Sequence, residues 1–209
     1  MFKITNLEPQ KHDPQRLNVY LDGEFAFGVA RAVAPWLQVG KELSRSKINE
    51  LKAKDNQEKA YQRALNFLSY RDRSTAEVER NLRKHDVPEA AIEAVIQRLQ
   101  DNHLLDDLDF ARKWVENRAA FHPRGRRALA AELRQKGVSR PVIDKVLEDV
   151  DEYEMAYKVA QNKLRRIKDL ERPEFNNKLY GYLSRRGFHY GICKETANRV
   201  WAELHDPSQ

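Results

Sequence analysis

The spacing of apolar residues changes character along this chain. Up to about residue 29 the period is two. Ile4-Thr5-Asn6-Leu7 is followed by Leu17-Asn18-Val19-Tyr20-Leu21 and by Phe25-Ala26-Phe27-Gly28-Val29. Alternation of this kind belongs to half-buried strands. Asp22-Gly23 separates the second run from the third, and a two-residue type I′ turn needs positive φ at both central residues, which this pair supplies at low cost. Asp13-Pro14-Gln15 reads as a loop. Residues 2–29 are thus predicted to form a small sheet of two or three strands, too small to stand alone, packed on the helix that follows. Gly40 marks a boundary and Ser44 an N-cap. From Ser44 to Leu68 helix formers dominate, with Ile48, Leu51, Tyr61, Leu65 and Leu68 on one stripe. The polar run 52–56 is where one helix is expected to give way to the next.

Beyond Gln57 the pattern is helical and repeats. Leu82-Arg83-Lys84-His85-Asp86-Val87, Leu133-Arg134-Gln135-Lys136-Gly137-Val138 and Leu183-Ser184-Arg185-Arg186-Gly187-Phe188 lie 51 and 50 residues apart. The same apolar offsets follow each. Val87, Ile92, Ile96 and Leu99 correspond to Val138, Ile143, Leu147 and Val150, and then to Phe188, Cys193, Ala197 and Val200. These spacings place each set on one helical face. A period near fifty with matching stripes is the mark of a stacked helical array. At the shared corner a helix ends, one residue turns left-handed, and a second helix begins. Gly137 and Gly187 suit that residue, and Asp86 tolerates it. Pro88, Ser139 and His189 open the next helices.

Each copy also has a leading helix: 57–69, then 107–120 with Phe110, Ala111, Trp114 and Val115, then 152–168 with Ala156, Val159, Ala160, Leu164 and Ile167. Ser74 and Glu77 form a capping box after the first. The predicted fold is mainly α: an elongated tandem array of three three-helix modules, preceded by a small N-terminal β-hairpin or sheet and a linking helix. Residues 1–43 are assigned to the hairpin extension and 44–56 to the linking helix. The repeats are 57–105, 106–151 and 152–205, and 206–209 is a tail. Three modules in a row would span on the order of 60–80 Å. Weak contacts made by each to a periodic target would then add through avidity.

Composition narrows the function. The 209 residues carry 38 Lys+Arg against 32 Asp+Glu, a formal net charge of +6, and 22 of the cations are Arg. Arginine forks pair with carboxylate or phosphate and stack on bases, so an acidic or nucleic-acid partner competes with a solvated helical surface of mixed charge. One cysteine, Cys193, suits a reducing compartment. The start has neither the apolar core nor the cleavage site of a signal peptide, and no run approaches a membrane span. A cytoplasmic monomer is expected.

Four groups of cations are candidate binding sites. Arg124, Arg126 and Arg127 surround Gly125 at a helix start, where they oppose the helix dipole; they could grip phosphate or an acidic groove wall, or be solvated. Lys163, Arg165, Arg166 and Lys168 run near a helix end, where the dipole welcomes them and a solvated face is a good explanation. Arg185 and Arg186 sit among Tyr182, His189 and Tyr190, a mixture suited to single strands, with Phe188 and one tyrosine assigned to the core. Arg71 and Arg73 hold the place of the Arg124 loop in the first copy. Replacing Arg124, Arg126 and Arg127 by Ala is expected to spare melting and weaken partner binding. Trp36, Trp114 and Trp201 read as core or module-interface residues, and Cys193 as a buried thiol. Asp106, Asp107 and Asp109 precede a helix and read as caps. Neither nucleotide-binding glycine motifs nor zinc-ligand spacings occur, so no catalytic, cofactor or metal site is expected.

The run Phe110-Ala111-Arg112-Lys113-Trp114, Arg118, Pro123-Arg124-Gly125, Leu129, Leu133 and Lys136-Gly137-Val138 resembles the central signature of the RecX family. Leu104-Leu105-Asp106-Asp107 and Ser74-Thr75-Ala76-Glu77 also fit, and the resemblance extends from Gln57 to His205. It departs at Asp86, where a turn glycine is replaced, and in the longer loop of the third copy. The resemblance implies a non-enzymatic regulator of the RecA recombinase, an elongated repeat protein lying along the groove of the RecA–single-stranded-DNA filament. It further implies inhibition of recombinase, ATPase and co-protease activities, a role in DNA repair and the SOS response, and weak non-specific binding to single- or double-stranded DNA. A competing reading is a helix-turn-helix DNA-binding regulator, since each copy joins two helices by a short turn. No recognition helix, however, stands out with Asn, Gln and Arg on one exposed face.

Overall fold

The computed structural model describes residues 1–205, and the expected tail at 206–209 lies outside the described residues. Among these, four strands precede nine helices. Among the described residues, no helix is long and apolar enough to cross a membrane. The chain divides into two compact units, Met1–Arg73 with Val78–Leu105, and Ser74–Glu77 with Asp106 onward.

In the first unit, β1 (Phe2–Gln10), β2 (Asp13–Leu21), β3 (Glu24–Ala30) and β4 (Glu42–Leu43) form an antiparallel sheet in the order β3-β2-β1-β4. Asp22 and Gly23 both take positive φ, 50° and 95°, so the Asp-Gly hairpin forms as the sequence indicates. Two features differ from expectation. The sheet gains a fourth strand, because Leu43 and Glu42 return to pair with Phe2 and Lys3. Asp13-Pro14-Gln15 begins β2 rather than forming a loop. Gln10 pairs with Asp13 across the turn and a register shift follows between Pro9 and Gln10, so Pro14 sits beside an irregularity where its missing N–H is tolerated. Ile4, Val19, Leu21, Phe27 and Val29 pack with Leu37, Leu43, Ile48 and Leu51.

Helix α1 (Arg45–Leu68) opens on Ser44, whose Oγ accepts the Lys47 amide at 3.1 Å. It runs unbroken for 24 residues through the polar stretch at 52–56. Asp55 explains the continuity, because it lies on the same face as Ile48 and Leu51 and is buried. Its carboxylate accepts from Arg16 at 2.7 Å and from the Ala30 amide at 2.9 Å, and pairs with Lys59 at 2.9 Å. Burial pushes this carboxyl up, but these donors outweigh burial and hold it below its ordinary value. The polar break expected from sequence is thus the point where the sheet is clasped to the helix. Helix α2 (Thr75–Arg83) and α3 (Glu89–Asp101) follow. Ala60, Tyr61, Ala64, Val78, Leu82, Ile92, Val95 and Leu99 make one apolar cluster.

The second unit contains α4 (Asp107–Phe121), α5 (Arg126–Gln135), α6 (Arg140–Glu148), α7 (Glu152–Leu164), α8 (Arg172–Ser184) and α9 (Tyr190–Leu204). Asp106 caps α4 through the amides of Leu108 and Asp109, as acids at a helix start should. One continuous core joins Phe110, Leu129, Leu133, Ile143, Phe175, Leu179, Leu183 and Cys193.

The repeat is reproduced at the corners. Asp86, Gly137 and Gly187 take φ of 56°, 83° and 87°. At each, the following amide returns to the leucine five residues earlier: Val87 to Leu82, Val138 to Leu133 and Phe188 to Leu183, at 3.3, 3.1 and 3.3 Å. This is the helix-ending pattern in which a left-handed residue satisfies orphan carbonyls. The matched apolar positions are all buried except Val87, which is half-buried.

Candidate functional site

In the second unit a helix start is seated on each glycine corner. Ser74 and Glu77 form the expected capping box: the Glu77 amide donates to Ser74 Oγ at 3.2 Å and the Ser74 amide to Glu77 Oε2 at 3.3 Å. The Ser74 hydroxyl also donates to the Lys136 carbonyl, and Lys136 Nζ pairs with Glu77 at 3.0 Å. Fifty-one residues later in sequence, the Gly125 amide donates to the Arg186 carbonyl at 2.9 Å. In both cases the acceptor is the residue just before the corner glycine. Ala76 lies over Gly137 and Ala128 over Gly187, so closely that a Cβ on either glycine would collide with it. A Cβ on Gly125 would strike the Gly187 carbonyl.

The second of these contacts joins two of the cation groups. The Arg124–Arg127 turn is bonded directly to the Arg185–Gly187 corner. The Arg186 guanidinium lies 3.8 Å over the Tyr182 ring, and Lys163 Nζ approaches the same ring at 5.2 Å. Tyr182 thus holds two cations by its π face. Arg127 and Arg185 are exposed. Tyr190 is exposed too and meets Tyr180 edge to face at 5.8 Å. Burial of Phe188 leaves Tyr182 half-buried, with its ring given to cations.

Arg124 and Arg126 are also tied into the fold. Arg124 Nε stands 3.9 Å from Glu132, which accepts from Arg118 at 2.7 Å and from the Trp114 indole at 2.9 Å. Arg126 donates to the carbonyls of Val150 and Glu148 at 2.7 and 3.2 Å, satisfying the end of α6. Its amide donates to Glu152. Replacing it with Ala is therefore expected to cost stability as well as charge, where the sequence alone suggested that melting would be spared. Arg165, Arg166 and Lys168 are exposed in the turn after α7 rather than on it, since that helix stops at Leu164. In the first unit, Arg71 donates to the Asp72 carbonyl at 2.7 Å, and Arg73 lies 4.0 Å over Phe67. The tryptophans are half-buried, each with cations against its ring: Lys41 and Lys47 at Trp36, Arg118 and Lys136 at Trp114, Arg172 at Trp201.

Sequence reasoning missed Glu132, Asp55 and the seating of helix starts on corners. Asp55 left a signal, an acid on an apolar stripe. Glu132 left none, because its partners come from another helix.

Four family models match successive stretches of the chain. The regulatory protein RecX N-terminal domain covers residues 2–44, and the first, second and third three-helix domains of RecX cover 60–99, 106–147 and 149–196. They define a class of regulatory protein with a strand-built N-terminal domain and three three-helix domains. Relatives named Regulatory protein RecX include that of Bacillus subtilis, 33% identical over 99% of this chain and 80% of the relative. That of Bacillus licheniformis is 34% identical with the same coverage. A crystal structure of regulatory protein RecX superposes with a TM-score of 0.79 at 30% identity, covering 95% of this chain and 100% of the other. RecX from Lactobacillus salivarius gives 0.65 at 28% identity, covering 70% and 97%. The chain belongs to the RecX family of regulatory proteins.

Proposed function

We propose that this chain is a non-enzymatic regulator of the RecA recombinase. It binds the RecA–single-stranded-DNA filament along its groove, as a cytoplasmic monomer, and inhibits recombinase, ATPase and co-protease activities. It thereby tempers DNA repair and the SOS response. The observation that supports this reading best is the bond between Gly125 and Arg186, which joins two arginine-bearing turns into one face with Lys163 and Tyr182. Guanidinium groups beside aromatic rings suit phosphates and unstacked bases, or the acidic wall of a protein groove.

The test compares three labelled targets in binding titrations: the RecA–DNA filament, the bare oligonucleotide and duplex DNA. The filament is expected to bind most tightly, with duplex binding weak, salt-sensitive and indifferent to sequence. The variant Arg124→Ala/Arg127→Ala/Arg185→Ala, which spares Arg126, is expected to lose on the order of tenfold in filament affinity. Unchanged affinity would remove these residues from the interface. A preference for one duplex sequence by several kcal/mol would instead favour a helix-turn-helix regulator.

A further inference from the structure

The first corner differs from the other two in what meets it. Lys136 and Arg186 each accept a hydrogen bond from a polypeptide segment seated on their corner, through a hydroxyl in one case and a main-chain amide in the other. His85 holds the equivalent place before Asp86, and its carbonyl receives no main-chain bond among the described residues. Instead, His85 and Asp86 line an open groove of about 1310 Å³ within the first unit. Asn56, Lys59, Arg63 and Asn66 of α1 line the same groove at steps of three and four residues, and hence share one face, and Tyr70 lines it just beyond the helix end. Asn81 of α2 and Gln15 of β2 add further amides. Asn56 and Asn66 are exposed to the groove and Asn81 is half-buried.

We propose that this groove receives an extended segment of a partner polypeptide, which donates a main-chain N–H to the His85 carbonyl and is held along its length by the asparagine amides. The repeat itself indicates the occupant, since both covered corners are covered by polypeptide. Carboxamides carry a donor and an acceptor and so match the alternating groups of an extended main chain. The charge argues against a nucleic-acid strand. Arg16 and Lys59 are committed to Asp55, while Asp13 and Asp86 line the same groove as Arg63. Asp86 also explains why the occupant is a strand rather than another helix start. Its Cβ stands where Gly137 and Gly187 leave room for alanines, so a helix cannot press as closely. Taking the partner to be a RecA subunit rests on the functional reading above.

Two variants test the groove in the full chain. Asn66→Trp fills it from the exposed face of α1, and Asn56→Ala/Asn81→Ala empties it of amides. Both are expected to keep the wild-type helix content and melting midpoint, to lose about tenfold in affinity for the RecA–DNA filament, and to bind the bare oligonucleotide unchanged. Filament affinity unchanged in both variants, or an equal fall on the bare oligonucleotide, would overturn the groove. If the wild-type chain does not bind the filament, the functional reading fails, and selection from a displayed library of random peptides decides the groove separately. Peptides enriched on the wild type and lost on Asn66→Trp would sustain it. No enrichment, or enrichment indifferent to that substitution, would overturn it.

Discussion

The two units hold their parts together by different physics. In the first, the sheet is fastened to α1 by a charge, the buried Asp55 with Arg16, Lys59 and the Ala30 amide. In the second, helix starts are seated on corners by close approach, with Ala76 and Ala128 resting where glycine has no side chain. The turn at Asp86 matches those at Gly137 and Gly187 in backbone conformation and bonding, yet each glycine lies beneath an alanine whereas Asp86 is exposed at a groove. Left-handed φ alone therefore tolerates Asp, whereas left-handed φ combined with a seated neighbour demands Gly.

Substitution at Gly187 sharpens this contrast most. Gly187→Ala adds the cost of positive φ to a Cβ within 2.6 Å of the Ala128 main-chain nitrogen. It is expected to lower stability by about 3–5 kcal/mol, measured by urea unfolding. Next is the clasp. Asp55→Asn leaves Arg16 largely buried without its charge partner and is expected to cost roughly 3 kcal/mol. The same group makes the first unit acid-sensitive. Because the folded carboxyl titrates below its ordinary value, its contribution is complete above the unfolded value near about 4 and is lost as pH falls through the folded value. The protection of the Ala30 amide against hydrogen exchange, relative to its intrinsic rate at each pH, is expected to fall there, while the Gly125 amide, bonded to a carbonyl, keeps its protection. Ser74→Ala removes an N-cap and a bond to the Lys136 carbonyl, for about 1–2 kcal/mol in the same unfolding assay. The smallest effect has the opposite sign. Asp86→Gly relieves a strained φ and is expected to raise stability by up to about 1 kcal/mol. A loss comparable to that of Gly187→Ala would break the distinction between the corners.

Much of the fold was legible in the sequence because its signals are local. Leu82, Leu133 and Leu183, with the apolar stripes behind them, revealed the repeat, and Asp22-Gly23 revealed the hairpin. Two-residue β4 carries too little pattern to be read, and it forms only because the chain returns beside Phe2. The unbroken α1 was hidden because Asp55 looks polar in sequence and is neutralised by Arg16, 39 residues away. The candidate site was legible by composition and not by arrangement. Arg124, Arg185 and Arg186 stood out as cations, but their meeting depends on a main-chain bond from Gly125 that no side-chain pattern encodes. Arg126 looked like its neighbours and proved to cap α6.

The rate of ATP hydrolysis by preformed RecA–single-stranded-DNA filaments, followed as this protein is titrated to saturation, tests the functional account most directly. A progressive fall in rate, weakened by Arg124→Ala/Arg127→Ala/Arg185→Ala, is the predicted result. Hydrolysis continuing at its original rate with the protein fully bound would contradict it.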